Sequence, residues 1–131
     1  MGDYIEKKVL DLMILKKVSS KNITNDWLVW FIGLYEGDGS MYFSNKGFSF
    51  AIYSIDKKTL LEIKRVLGFG NIYYDALNIK WRYLVESRYE VYLILLILNG
   101  NLVLTHRYFN FISIAQEFNQ RFFNGKIFIS K

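Results

Sequence analysis

The sequence predicts an α+β fold in the order α-ββ-α-ββ-α-α, a four-stranded antiparallel sheet with helices on one side. Three observations predict it. An apolar, helix-length stretch at 27–35 runs into Glu36-Gly37-Asp38-Gly39, and directly after it the hydrophobic period falls from helical to two. A hairpin followed by a helix then occurs twice, over 40–67 and again over 71–98. No long linker or low-complexity segment separates the two.

Residues 1–24 form an N-terminal extension in which Ile5, Val9, Leu12 and Met13 recur at helical spacing, predicting an amphipathic helix over 4–17 to which no function is assigned. A polar stretch over 19–25 leads to the next helix, with Asn25 or Asp26 as its N-cap. That helix is apolar on every side: Trp27, Leu28, Val29, Trp30, Phe31, Ile32, Leu34 and Tyr35 leave no polar stripe, so it has to be covered all round. Gly33 and Gly37 lie four apart on one face and admit the close approach of a second backbone. Glu36 and Asp38 sit at the negative end of the helix dipole, which costs several tenths of a kcal/mol each. A cation is the simplest offset.

Met41 and Phe43 then alternate with Ser40, Tyr42 and Ser44; Asn45-Lys46-Gly47 makes a turn with glycine where φ is positive; and Phe48, Phe50 and Ile52 alternate with Ser49, Ala51 and Tyr53. Asp56 caps a helix with Leu60, Leu61, Ile63 and Leu67 on its apolar stripe, ended by Gly68. In the second copy Ile72 and Tyr74 alternate with Asn71, Tyr73 and Asp75. After a turn over 76–78, Ile79, Trp81, Tyr83 and Val85 alternate with Lys80, Arg82, Leu84 and Glu86. Ser87 and Glu90 are spaced as a capping box for the helix that ends at Leu98. A last helix after His106 puts Phe111, Ile114, Ala115, Phe118 and Phe122 on one face. The domain spans 25–123, with a tail over 124–131.

Length and composition set the outer limits. At 131 residues the chain supports one core but not two. Lys and Arg exceed Asp and Glu by 17 to 12, a surplus that fits a nucleic-acid partner. There is no cysteine, which excludes disulfides and thiolate metal sites. The longest apolar run, 91–98, falls well short of the roughly 20 residues of a membrane span, and no membrane partner is expected. Asp3, Glu6 and Asp11 among the first lysines match neither a signal peptide nor a transit peptide. Richness in Phe, Tyr, Ile, Asn and Lys fits an AT-rich organellar gene, with a mitochondrion as the expected compartment.

Phe31-Ile32-Gly33-Leu34-Tyr35-Glu36-Gly37-Asp38-Gly39-Ser40 resembles the LAGLIDADG motif of homing endonucleases and intron maturases, and the similarity extends over roughly 25–119. The chain holds one copy of the motif. The resemblance implies a saddle-shaped αββαββα sheet whose polar face lies in the DNA major groove. By position that face carries Ser40, Tyr42, Ser44, Lys46, Ser49, Tyr53, Asn71, Tyr73, Asp75, Lys80, Arg82 and Glu86. It implies hydrolysis of double-stranded DNA with Mg²⁺ or another divalent cation held by Asp38 and the Gly37 carbonyl. Glu36 is expected in a structural role.

Two copies of the motif helix are required in this family. A homodimer through Phe31, Gly33, Leu34 and Gly37 on a near-palindromic target is therefore expected, or pairing with a second LAGLIDADG chain as half of a two-motif enzyme. Ile32 stands where the family usually has a small residue. Ser54, and the trio Thr105, His106 and Arg107, stand near the positions of the family's polar and basic support residues, so His106 and Arg107 are the further catalytic candidates. Arg107 has Glu117 as its competing partner. The alternative function is an RNA-binding intron maturase or ribonucleoprotein component without nuclease activity.

Overall fold

The computed structural model describes residues 23–99, 101–102 and 105–121. The expected helix over 4–17, the tail and Phe122 lie outside them. The described chain runs α1 (Asn25–Asp38), β1 (Gly39–Ser44), β2 (Gly47–Ser54), α2 (Lys57–Leu67), β3 (Asn71–Asp75), β4 (Lys80–Val85), α3 (Arg88–Leu98), α4 (Thr105–Arg121). The four strands form one antiparallel sheet in the order β1-β2-β4-β3, so β1 and β3 are its edges.

Local chemistry accounts for most element ends. Thr24, rather than Asn25 or Asp26, caps α1: its hydroxyl accepts from the Trp27 amide at 3.1 Å, and Asn25 and Asp26 are already helical. Asp56 caps α2 by accepting from the Lys58 amide at 3.0 Å, and Gly68 closes it in the left-handed region at φ 80°. Ser87 stands at the N-cap of α3, but its side chain makes no capping hydrogen bond, so the expected capping box is not formed. Gly47 takes φ 134° at the end of the β1–β2 turn, as the sequence requires. The β3–β4 turn takes in Ile79, which adopts φ 53° and is exposed. Ile79 is thus a turn residue and not the first of β4, and Glu86 lies one residue past the end of that strand.

The period-two pattern sorts the sheet into two faces. Met41, Phe48, Phe50, Ile52, Tyr83 and Val85 point inward and join Leu28, Phe31 and Tyr35 of α1, Leu60 and Ile63 of α2, and Phe111, Ile114 and Phe118 of α4 in one core. Within it α3 is the most deeply set helix, with every residue from Val91 to Leu95 buried, and Tyr92 stacks on Phe118 at 5.5 Å. Two glycines are fixed by tyrosines. A Cβ on Gly70, already at φ 94°, would lie 2.5 Å from the Tyr83 ring, whose buried hydroxyl donates to the Phe69 carbonyl at 2.8 Å. A Cβ on Gly39 would lie 2.5 Å from the Tyr35 carbonyl oxygen, so the switch from α1 into β1 admits no side chain.

Candidate active site and nucleic-acid interface

The helix α1 has one sealed face and one open face. Leu28, Phe31, Ile32 and Tyr35 are buried, and Phe31 is fully enclosed between Trp27, on which it stacks at 5.1 Å, and Phe50. Phe31 is therefore a core residue and presents no surface to a partner. Ile32 is likewise turned into the core, so its bulk is spent inside the chain. On the other side Val29 is 54% and Trp30 37% exposed, Gly33 and Gly37 are exposed, and apart from the helix's own backbone no described atom lies within 4 Å of where a Cβ on either glycine would stand. Leu34 is half-buried at the margin. Val29 and Trp30 belong to this open stripe by helical spacing (29, 30, 33, 37), a signal present in the sequence but hidden because the whole helix is apolar.

The stripe leads to the acidic end. Asp38, the last helical residue, is exposed; Glu36 is buried at 8% exposure. Arg107, half-buried in the first turns of α4, donates from Nε to the Glu36 carbonyl at 3.2 Å and lies 5.3 Å from the centroid of the Tyr35 ring. This supplies the cation that the negative helix end calls for. Arg107 does not use Glu117, which instead pairs with Arg121 at 2.8 Å. His106 is exposed in the first turn of α4, a helix that starts at Thr105 and so contains His106 instead of following it. Burial raises the Tyr35 phenol above its ordinary pKa, opposed by the Asn110 and Arg107 side chains beside it.

Asp38 and the Gly37 carbonyl, one of the last four in the helix with no partner further along it, are hard oxygen donors of the kind that Mg²⁺ prefers. Among the described residues no three His, Cys, Asp or Glu side chains come together as a metal cluster. The donor set of one chain fits a divalent cation but completes its coordination only with oxygens from elsewhere.

The outward sheet face begins two residues past Asp38. Strand register places Ser40 beside Ala51 and Tyr42 beside Ser49; Ala51 beside Leu84, and Leu84 beside Asn71; Tyr53 beside Arg82, and Arg82 beside Tyr73; and Lys80 beside Asp75. Tyr42, Ser44, Asn71, Tyr73 and Lys80 are exposed, as are Lys46 at the β1–β2 tip and Glu86 beyond β4. Ser40, Tyr53, Asp75 and Arg82 are half-buried, and Ser49 is buried. The face is less uniformly polar than alternation suggests, because its middle holds buried Ala51 and Leu84 beneath the longer side chains around them.

Arg82 sits in mid-face with its guanidinium 5.6 Å from the Tyr73 ring centroid and a buried Nε that has no hydrogen-bond partner among the described residues. Asp75 turns its carboxylate to its own hairpin, accepting from the Leu77 and Asn78 amides and, at 2.7 Å, from the Asn78 side chain; that last bond chiefly holds its pKa below the ordinary carboxylate range. Ser54 belongs to the inward register and accepts from the Asp56 amide at 3.0 Å, a local turn contact.

No protein-family model matches the sequence. The chain is 33% identical over 97 residues to a probable intron-encoded endonuclease of Neurospora crassa, in a match covering 71% of this chain and 18% of that protein. Its fold is that of an archaeal intron-encoded homing endonuclease, I-Vdi141I, complexed with DNA, at TM-score 0.59 and 21% identity over 78% of this chain and 77% of the other. The chain belongs to the LAGLIDADG homing-endonuclease family. Two further structures share the fold. I-SmaMI bound to an uncleaved DNA target with calcium ions aligns at TM-score 0.55 and 19% identity over 91% of this chain and 60% of the other. The homing endonuclease I-TnaI aligns at 0.53 and 16% identity, over 69% and 73%. This LAGLIDADG chain spans about a fifth of the length of its fungal relative. Among the described residues no helix is long and apolar enough to cross a membrane.

Proposed function

We propose that this LAGLIDADG chain is the reading and cutting unit of a site-specific double-strand DNA endonuclease of the homing type. The observation that carries the reading is the convergence at one end of α1. Asp38 is open there, Arg107 is fastened to the same turn, the bare glycine stripe leads to it, and the polar sheet face starts at Ser40. Asp38 and the Gly37 carbonyl would hold Mg²⁺, which when bound neutralises phosphate charge and activates a water. One chain supplies one such carboxylate. A second α1 packed along Gly33 and Gly37, from an identical chain or from another LAGLIDADG chain, brings a second Asp38, one for each DNA strand. Two-fold pairing of identical chains reads a near-palindromic target.

Arg107, held by Nε, has its terminal amino groups for a phosphate oxygen, and His106, exposed beside it in the first turn of α4, is the second side chain offered to the substrate. Lys80 and Arg82 take bases or phosphates, and the Ser, Tyr and Asn groups of the sheet face make the adaptable contacts. The fungal intron-encoded relative and the Asn-, Ile- and Lys-rich composition support an organellar, mitochondrial setting.

The test is cleavage of a randomised duplex library with Mg²⁺, followed by sequencing of the ends. Palindromic cut sites support both nuclease and homodimer, and Asp38→Asn then abolishes cutting while binding persists. A second reading, binding of intron RNA without DNA cleavage, is favoured by Ser54, whose hydroxyl is committed to a local turn. Failure of the folded chain to cut any duplex, together with retention of structured RNA, would put that reading first.

A further inference from the structure

The two hairpins are held in different ways. The β3–β4 tip is tied by its own Asp75 carboxylate. Among the described residues the β1–β2 tip has a single turn contact of its own, Ser44 Oγ accepting from the Lys46 amide at 3.2 Å, and is tied besides by a residue 77 positions away: Arg121 donates from Nη1 to the Ser44 carbonyl and from Nε to Glu117 at 2.8 Å. Its guanidinium carbon lies 5.4 Å from the Phe43 ring centroid and 5.2 Å from that of Phe48. On the same helical stripe of α4, Asn110 reaches the Met41 carbonyl at 3.5 Å and Arg107 the Glu36 carbonyl at 3.2 Å. The polar stripe of α4 therefore takes backbone carbonyls in sequence from the end of α1 to the hairpin tip, alongside the sheet edge formed by β1.

We propose that Arg121 is a positioning residue for target recognition, setting the tilt of the β1–β2 hairpin and hence where Tyr42, Ser44 and Lys46 meet the nucleic acid relative to Asp38. The inference rests on the endonuclease reading above. Strand pairing already aligns β1 with β2, so the clamp is not needed for register; a two-stranded tip still bends as a unit. A guanidinium suits the position because its planar fork serves a carboxylate and a carbonyl at once while lying against aromatic rings, which an ammonium does not reproduce. Base reading depends on placement to about an ångström, so a loosened tip loses discrimination before it loses phosphate attraction.

The experiment uses the full chain, its Arg121→Met and Arg121→Lys variants, and Glu117→Gln in case the methionine variant does not fold. Hydrogen exchange of amides 42–49 is measured without DNA, and the base preference at each position of the bound site is measured from a duplex library. Loss of a charge-assisted bond raises exchange at the tip roughly tenfold or more with the rest of the sheet unchanged. Discrimination falls at the outer positions of each half-site and not at its centre, and lysine restores only part of either effect. Faster exchange with an unaltered preference profile, a uniform loss across all positions, or no change in exchange would each overturn the proposal. A wild-type chain that selects no site from the library, alone or paired with a second LAGLIDADG chain, defeats the endonuclease reading and this inference with it, whereas the exchange arm alone reports on the clamp.

Discussion

On the sealed face of α1, Leu28, Phe31, Ile32 and Tyr35 are covered by the sheet and its companion helices. On the open face, Val29 and Trp30 alternate with Gly33 and Gly37 and stay exposed. Both faces are apolar, and a hydropathy profile does not separate them. Shape does. The sealed face is bulky and meets Phe50 through Phe31 and Tyr35, the latter stacked on it at 5.3 Å. The open face has two glycines, Gly33 and Gly37, with nothing described against them. An apolar helix surface thus divides into a part that builds the fold and a part that the described chain leaves open, and the glycines lie on the open part.

Breaking the sealed face should have the largest effect. Phe31→Ala removes a fully buried ring stacked on Trp27 and is expected to cost about 3–5 kcal/mol, read by urea denaturation. At the end of the same helix, Gly39→Ala forces a methyl group against the Tyr35 backbone, for an expected loss of about 1–3 kcal/mol in the same assay.

A pH series tests the sealed face without mutation. Burial raises the pKa of Tyr35, and that of Tyr83 moves the same way, chiefly by burial with the Glu90 charge adding to it. A folded-state pKa above the unfolded value of about 10 gives stability that is complete below pH 10 and lost as pH rises beyond it. Unfolding free energy should therefore fall from pH 10 upward, and less steeply in Tyr35→Phe.

The open face sharpens the contrast through the smallest change in stability. Nothing described stands near Gly33, so Gly33→Leu should raise monomer stability by about 0.5–1 kcal/mol through helix propensity while abolishing self-association in sedimentation. A destabilised chain with association intact would mean that the stripe is not the contact surface.

The hairpins show how far local patterns reach. Alternation in β1 through β4 assigned each strand residue to its observed face, and Gly47 and Gly68 were readable because a turn or helix end demanded positive φ. Alternation alone carries Ile79 into β4, because a β-branched residue in the left-handed region has no sequence signature. The sequence does not single out Thr24 as the cap of α1, because three adjacent residues, Thr24, Asn25 and Asp26, all make good caps, and which of them leaves the helix depends on how α1 seats in the core.

The candidate site divides in the same way. Asp38, Gly37, the two motif glycines and the polar register of the sheet follow from the sequence by itself, because each is set by spacing within a single helix or strand. Three features were decided only by tertiary structure: the Arg107 contact with Glu36 across 71 positions, the Arg121 contact with Ser44 across 77, and the burial of Ser49, Ala51 and Leu84 within an outward face. Spacing carries no information about which distant carbonyl an arginine will meet. That is settled when α4 lies down along the edge of the sheet, and the energy that places α4 there comes from Phe111, Ile114 and Phe118 entering the core.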